Sequence, residues 1–266
     1  MIFDTHTHIY LGDLVDREVE ILDNMKSAGI SKITSIGIDI PSSFQSVELA
    51  SKYDFVYASI GIHPNDTYLY EGKLDETIAK LEEIYLKNID KIVAIGECGF
   101  DFFRTSEENL EHTKQEQEKF FRAQIALAQK YDLALVVHTR NAKDDTLRVL
   151  METGCKKFIL HCFSEDLDFA YKALYYSDEC KISFSGIVTY PNAINVARVA
   201  SRIPLDKILV ETDCPYLAPQ KKRGQTNEPA YASYVLAKII DLREEEPEII
   251  KSQIWKNSLE IFGIKE

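Results

Sequence analysis

Residues 2–8 read IFDTHTH: an apolar start, an aspartate, and two histidines one residue apart. Residues i and i+2 of a β-strand share a face, so His6 and His8 present two imidazoles side by side, as a strand does when it offers two ligands to one metal. Taken alone, the pair reads more readily as a polar strand end, and its meaning depends on what the rest of the chain brings beside it. The stretch also bears on topology. A dinucleotide-binding sheet carries a glycine-rich GxGxxG turn after its first strand, and here the histidines occupy that place.

Working outward, seven further short β-branched or apolar runs follow: KITSIGI from Lys32, VYASIGI from Val56, KIVAIGE from Lys91, LALVVHT from Leu133, FILHCF from Phe158, KISFSG from Lys181 and ILVETD from Ile208. The segments between them read as amphipathic helices. Leu74, Ile78, Leu81 and Tyr85 recur at helical spacing, and further helices are predicted over about 114–131 and 142–152. Strand then helix, repeated eight times in 266 residues with no Pro/Gly/Ser linker, predicts a (β/α)8 TIM barrel over 1–266 as a single domain. An open doubly wound sheet is the alternative.

Composition narrows the class. With 45% hydrophobic and 28% charged residues, 11 glycines and 8 prolines, the chain is globular rather than disordered. It has neither an apolar run of about 18 residues nor a basic start followed by an apolar stretch, so a cytoplasmic protein is expected. Five cysteines without a CxxC or paired spacing predict reduced thiols. A net charge of -12 argues against a wide basic track for nucleic acid, so any phosphate has to be held locally.

Chemistry collects at one end of the predicted strands. Lys32, Lys91, Lys157, Lys181 and Lys207 sit at strand starts, whereas His6 and His8, His63, Glu97, His138, His161 and Asp213 sit at the far ends. Five of the six histidines therefore fall on the face that carries activity in such barrels. Once the barrel closes, the metal reading of IFDTHTH prevails. Histidines and carboxylates in this number exceed one tetrahedral site and suit two divalent ions (Mg, Mn or Zn) per chain, about 3.5–4 Å apart with a bridging carboxylate. Glu97 is the expected bridge. His6 and His8 are assigned to one ion, His138 and His161 to the other, and Asp213 to the first ion with a second role as general base.

The ordered segments FDTHTH, GIHP, GECGFDFFR, VVHTRNAKDD, LHCFS, SGIVTYPNA, ETDCPYLAP and RGQTNEPAY resemble those of TatD-like metal-dependent deoxyribonucleases over essentially the whole chain. The resemblance implies a barrel of the metal-dependent hydrolase superfamily with divalent-metal nuclease activity. It implies His6, His8, Glu97, His138, His161 and Asp213 as metal ligands, and His63 facing the substrate phosphate. Two segments depart from the pattern: Phe100 and Phe103 stand where relatives often have Leu and Tyr, and Glu165 where they commonly have Gly.

Other residues sort by alternation and position. Cys98, Cys162 and Cys214 each follow a proposed ligand and should point away from it, which makes them structural thiols. His112 has no partner motif and reads as a surface histidine. Arg140, two residues after His138, is placed to hold a phosphate, and Lys221, Lys222 and Arg223 put positive charge at the mouth. Asn227 and Glu228 are expected to fix the following loop or cap its helix, with Pro229 at the first turn. The resulting expectation is a DNA phosphodiesterase, acting 3′–5′ on single-stranded ends, with no membrane and no obligatory protein partner. An amidohydrolase or esterase on a small molecule would use the same metals on a carbonyl, and Arg140 with the basic loop favours phosphate. A metal-binding scaffold without activity would be expected to have lost part of the ligand set, and none is missing.

Overall fold

The computed structural model describes residues 1–103 and 105–265, so the Arg104 that ends the GECGFDFFR segment lies outside the described residues. Eight parallel strands follow one another around a single sheet in sequence order: β1 (Ile2–Thr7), β2 (Ile30–Ile36), β3 (Val56–Ile60), β4 (Ile92–Asp101), β5 (Ala134–Arg140), β6 (Phe158–Leu160), β7 (Lys181–Phe184) and β8 (Ile208–Val210). Between and after them run α1 (Glu18–Ser27), α2 (Ile40–Lys52), α3 (Leu74–Lys87), α4 (Leu110–Lys130), α5 (Lys143–Glu152), α6 (Leu167–Tyr176), α7 (Ile194–Arg202), α8 (Ala232–Leu242) and α9 (Pro247–Ile261). This is a (β/α)8 barrel, as the strand–helix alternation predicts. The Leu74, Ile78, Leu81 and Tyr85 stripe faces the main core, which lies between the strands and the helices.

Closure takes place beyond the regular end of β8. Glu211 N still donates to Phe184 O of β7 (3.0 Å), but Asp213 N donates to His6 O (3.0 Å) and His8 N to Cys214 O (2.8 Å), so the chain crosses from β7 onto β1. The buried Asp4 carboxylate reinforces the join by accepting from Thr212 N at 2.8 Å and Thr212 Oγ1 at 2.6 Å. The aspartate of IFDTHTH is thus a barrel clasp. Burial pushes its carboxyl well above the usual range despite these hydrogen bonds.

Inside the barrel a second, smaller cluster contains Phe3, Ala94, Ala134, Val136, Ile159 and Leu209. Ala134 and Val136 lie four and two residues before His138 on β5, so alternation points them into the same lumen, below the imidazole. Trp255, Leu259 and Phe262, on and just after α9, plug this end. The Phe3 ring lies 5.5 Å from Phe262 and 6.3 Å from Trp255. At the same end Lys91, Lys157, Lys181 and Lys207 donate to backbone carbonyls of neighbouring loops. The lower end is therefore closed by apolar side chains and pinned by lysines, and the histidines and carboxylates gather at the carboxyl ends.

Phe3 is 1% exposed at the centre of the plug. Phe3→Ala is expected to cost about 3–5 kcal/mol in urea unfolding, the usual range for emptying a buried aromatic site. A loss below about 1 kcal/mol would show that the lower lumen is not packed as described.

Candidate metal centre

His6 and His8 leave β1 with their Nε2 atoms 3.1 Å apart. The His8 ring is set by its other nitrogen: Nδ1 lies 3.0 Å from Ile36 O, which also accepts from Tyr10 OH at 2.5 Å. An imidazole that donates Nδ1–H to a carbonyl keeps its Nε2 lone pair free, which is how proteins orient a histidine ligand.

Glu97 reaches the same point from β4, between two glycines whose backbone lies against β5. A Cβ on Gly96 would sit 2.4 Å from Val136 O, and one on Gly99 2.1 Å from His138 O, both at positive φ. Only glycine allows β4 and β5 to approach this closely, and the approach sets the Glu97 and His138 side chains against each other. The carboxylate divides its two oxygens. Oε2 lies 3.3 Å from His6 Nε2 and 3.8 Å from His8 Nε2, with Asp213 Oδ1 3.6 and 3.5 Å from the same two nitrogens. Oε1 lies 2.8 Å from His138 Nδ1, 2.8 Å from His161 Nε2 and 3.3 Å from His63 Nε2. Ligand atoms about 2.0–2.2 Å from a tetrahedral ion are about 3.3–3.6 Å from one another. Both groups of atoms have edges close to that value. By chemistry and spacing, the donor set fits divalent ions.

Burial and the neighbouring charges act on Glu97, Asp213 and His161 in opposite directions. Burial opposes ionisation of Glu97, but the His161 and His63 charges and the His138 and His161 hydrogen bonds outweigh it and hold the carboxyl well below the usual range. Burial likewise opposes Asp213, and His8 and His6 keep it low. His161 is raised well above an ordinary histidine, against its burial, by Glu97 and Glu211. His6 moves the other way, lowered by burial and by the neighbouring His161. Ionised carboxylates thus converge with a histidine biased towards neutrality, and His6 Nδ1 is one of few buried polar atoms without a partner among the described residues.

All six ligands expected from the sequence meet at this point. His63 comes with them, its Nδ1 accepting from Asn65 N at 3.1 Å and its Nε2 turned to the Glu97 oxygen shared by His138 and His161. Arg140 lies exposed on the rim, with its guanidinium 3.7 Å from the Phe103 ring centroid, and Arg223 lies 5.0 Å over Tyr190. Cys98 and Cys214 are buried in the outer core, and Cys162 contacts Ser185 Oγ at 3.3 Å. No cysteine belongs to a metal-capable group among the described residues. Asn227 fixes the loop after β8 by donating to Thr212 O at 2.8 Å and Tyr216 O at 2.6 Å. The surface histidine His112 sits 3.4 Å from Glu71 Oε1.

Two carboxylates in the centre escaped the sequence reading. Asp101 Oδ2 lies 3.2 Å from His138 Nε2 and accepts from Asn65 Nδ2 at 3.0 Å. Its carboxyl, buried but hydrogen-bonded by His138, is lowered to about 2. Glu211 lies 3.3 Å from His161 Nδ1 and accepts from Cys162 N at 2.7 Å. Each orients a histidine from behind. For Glu211, just past the regular end of β8, strand alternation gives no signal; for Asp101, four residues after Glu97, parity was the available signal. It was obscured because β4, taken to end at Glu97, continues to Asp101.

Residues 3–263 match the family model of TatD-related DNases. The chain is 35% identical over 266 residues to the metal-dependent hydrolase YabD of Bacillus subtilis, covering 99% of this chain and all of that one. It is 35% identical over 239 residues to the metal-dependent hydrolase YcfH of Escherichia coli K12, covering 85% and 82% of the two chains. The crystal structure of YJJV, a TatD homolog from Escherichia coli K12, superposes with a TM-score of 0.90 at 28% identity, covering 99% and 98%. The chain belongs to the TatD-related DNase family of metal-dependent hydrolases.

Proposed function

We propose that this protein is a DNA phosphodiesterase that works as a 3′–5′ exonuclease on single-stranded ends in the cytoplasm, with two divalent ions (Mg, Mn or Zn) per chain in one barrel domain. The observation that carries the reading is the division of the Glu97 carboxylate, with each oxygen facing its own group of donors. His6, His8 and Asp213 would hold one ion and His138 and His161 the other, with Glu97 shared between them. When bound, the ions supply Lewis acidity at the scissile phosphate and acidify the attacking water.

The remaining roles belong to the chain's own side chains. Asp213 sits in a left-handed backbone conformation (φ 59°) at the barrel closure, braced by Asp213 N to His6 O and by Tyr216 N to Asp213 O. Held there as an ionised carboxylate, it takes the proton of the attacking water. His63 is more open to solvent than His161, with side-chain exposures of 14% and 4%, and it binds a non-bridging phosphate oxygen. Arg140 and Arg223 on the rim hold the neighbouring phosphates, and an arginine can stack its face while its N–H edge donates to phosphate. No described helix is long and apolar enough to cross a membrane.

The direct test is hydrolysis of single-stranded DNA by metal-stripped protein with each ion added back singly. Activity restored by a divalent ion supports the reading, and hydrolysis of carbonyl esters or amides alone would replace it with the amidohydrolase alternative. Asp213→Asn is expected to lower kcat about 10²–10⁴-fold, the range for loss of a general base, while circular dichroism and melting show an intact barrel. Near-wild-type turnover in that variant would remove Asp213 from the base role. Only a few cations surround the mouth of an acidic chain, so about two to four phosphates should be engaged. The log–log salt dependence of single-strand binding should then have a slope of about -1.4 to -2.8. A much steeper slope would reveal an extended binding track.

A further inference from the structure

Four arginines, Arg17, Arg122, Arg148 and Arg243, each pair with a carboxylate. Arg140, like Arg198, Arg202 and Arg223, makes no ion pair among the described residues. Its guanidinium lies instead over Phe103, at a distance typical of face-on stacking. Phe103 is 54% exposed, whereas Phe100, three residues earlier, is fully buried.

The pair is fixed in place relative to the centre. Phe103 N donates to Asp101 Oδ1 at 2.9 Å, and the other oxygen of the same carboxylate lies 3.2 Å from His138 Nε2. Phe102 N donates to Arg140 O at 3.0 Å, which clamps the segment to the end of β5. One carboxylate thus sets both the histidine of the centre and the backbone that carries the ring. A group resting on the pair would be registered against the reacting phosphate.

We propose that Phe103, with Arg140 laid over it, is a stacking platform for the nucleobase beside the scissile phosphate. The inference rests on the phosphodiesterase reading above and adds the substrate feature recognised, an unpaired base. Every nucleobase has a π-face, and stacking on aromatic and guanidinium planes binds single strands with little sequence preference. Phe103 has no hydroxyl to read a base edge, so the platform is indifferent to which base it takes. Duplex ends, whose bases are already stacked on their neighbours, are poor occupants.

The test compares kcat/KM of the metal-loaded enzyme on a single-stranded oligonucleotide and on an abasic strand of the same length, for wild type, Phe103→Ala and Phe103→Trp. Wild type should prefer the base-bearing strand by about 5- to 150-fold, mostly through KM. Phe103→Ala should bring the ratio to within about twofold of one, and Phe103→Trp should retain the preference. Equal melting temperatures would establish that the variants fold alike. A preference that survives in Phe103→Ala, or a wild type that cleaves both strands equally, overturns the platform and leaves the phosphodiesterase reading standing. A metal-loaded wild type that cleaves neither strand overturns both.

Discussion

A single buried carboxylate faces imidazoles from β1, β5 and the loops after β3 and β6, and the rest of the barrel's upper end is arranged around that contact. Isolated, Glu97 would be driven towards its neutral form by burial at 4% exposure. It stays ionised because histidines surround it, and two of these, His138 and His161, are themselves held by Asp101 and Glu211. Buried charge without a partner is expensive, and removing one member of such a group leaves the others uncompensated. The centre therefore behaves as one electrostatic unit built from several distant stretches of chain.

The fold supplies what this unit needs. Glycines on either side of Glu97 bring β4 against β5, and the Asp4–Thr212 clasp with the crossing from β7 to β1 brings Asp213 beside His6 and His8. Left-handed backbone at Cys162 (φ 45°), directly after His161, and at Asp213 (φ 59°) itself marks two places where the chain turns sharply at the centre. Such conformations persist only where the surroundings over-determine them. At the other end, α9 and the residue after it pack Trp255, Leu259 and Phe262 against Phe3.

The barrel and the gathering of its histidines and carboxylates at one end were legible because both follow short-range rules: strand–helix alternation, and chemistry gathered at strand ends. His6, His8, Glu97, His138, His161 and Asp213 could each be read from the end of its own run. The supporting groups were not legible to the same degree. Asp101 lay hidden because the length of β4 depends on pairing with β5, which a single run of residues does not reveal. Asp4 carried no assigned role in the IFDTHTH run, and its part appears only when Thr212, some two hundred residues away, closes against it. The exposed Phe103 ring belongs to the same class, since neither its openness nor its contact with Arg140 follows from the order of residues around it.

The central claim, that Glu97 is shared by two ions, is tested most directly by anomalous X-ray diffraction from crystals of the protein saturated with Mn or Zn. The account predicts two anomalous peaks per chain about 3.5–4 Å apart, one on each Glu97 oxygen, flanked by His6, His8 and Asp213 on one side and His138 and His161 on the other. A single peak at full saturation, or two peaks that do not share Glu97, would contradict it.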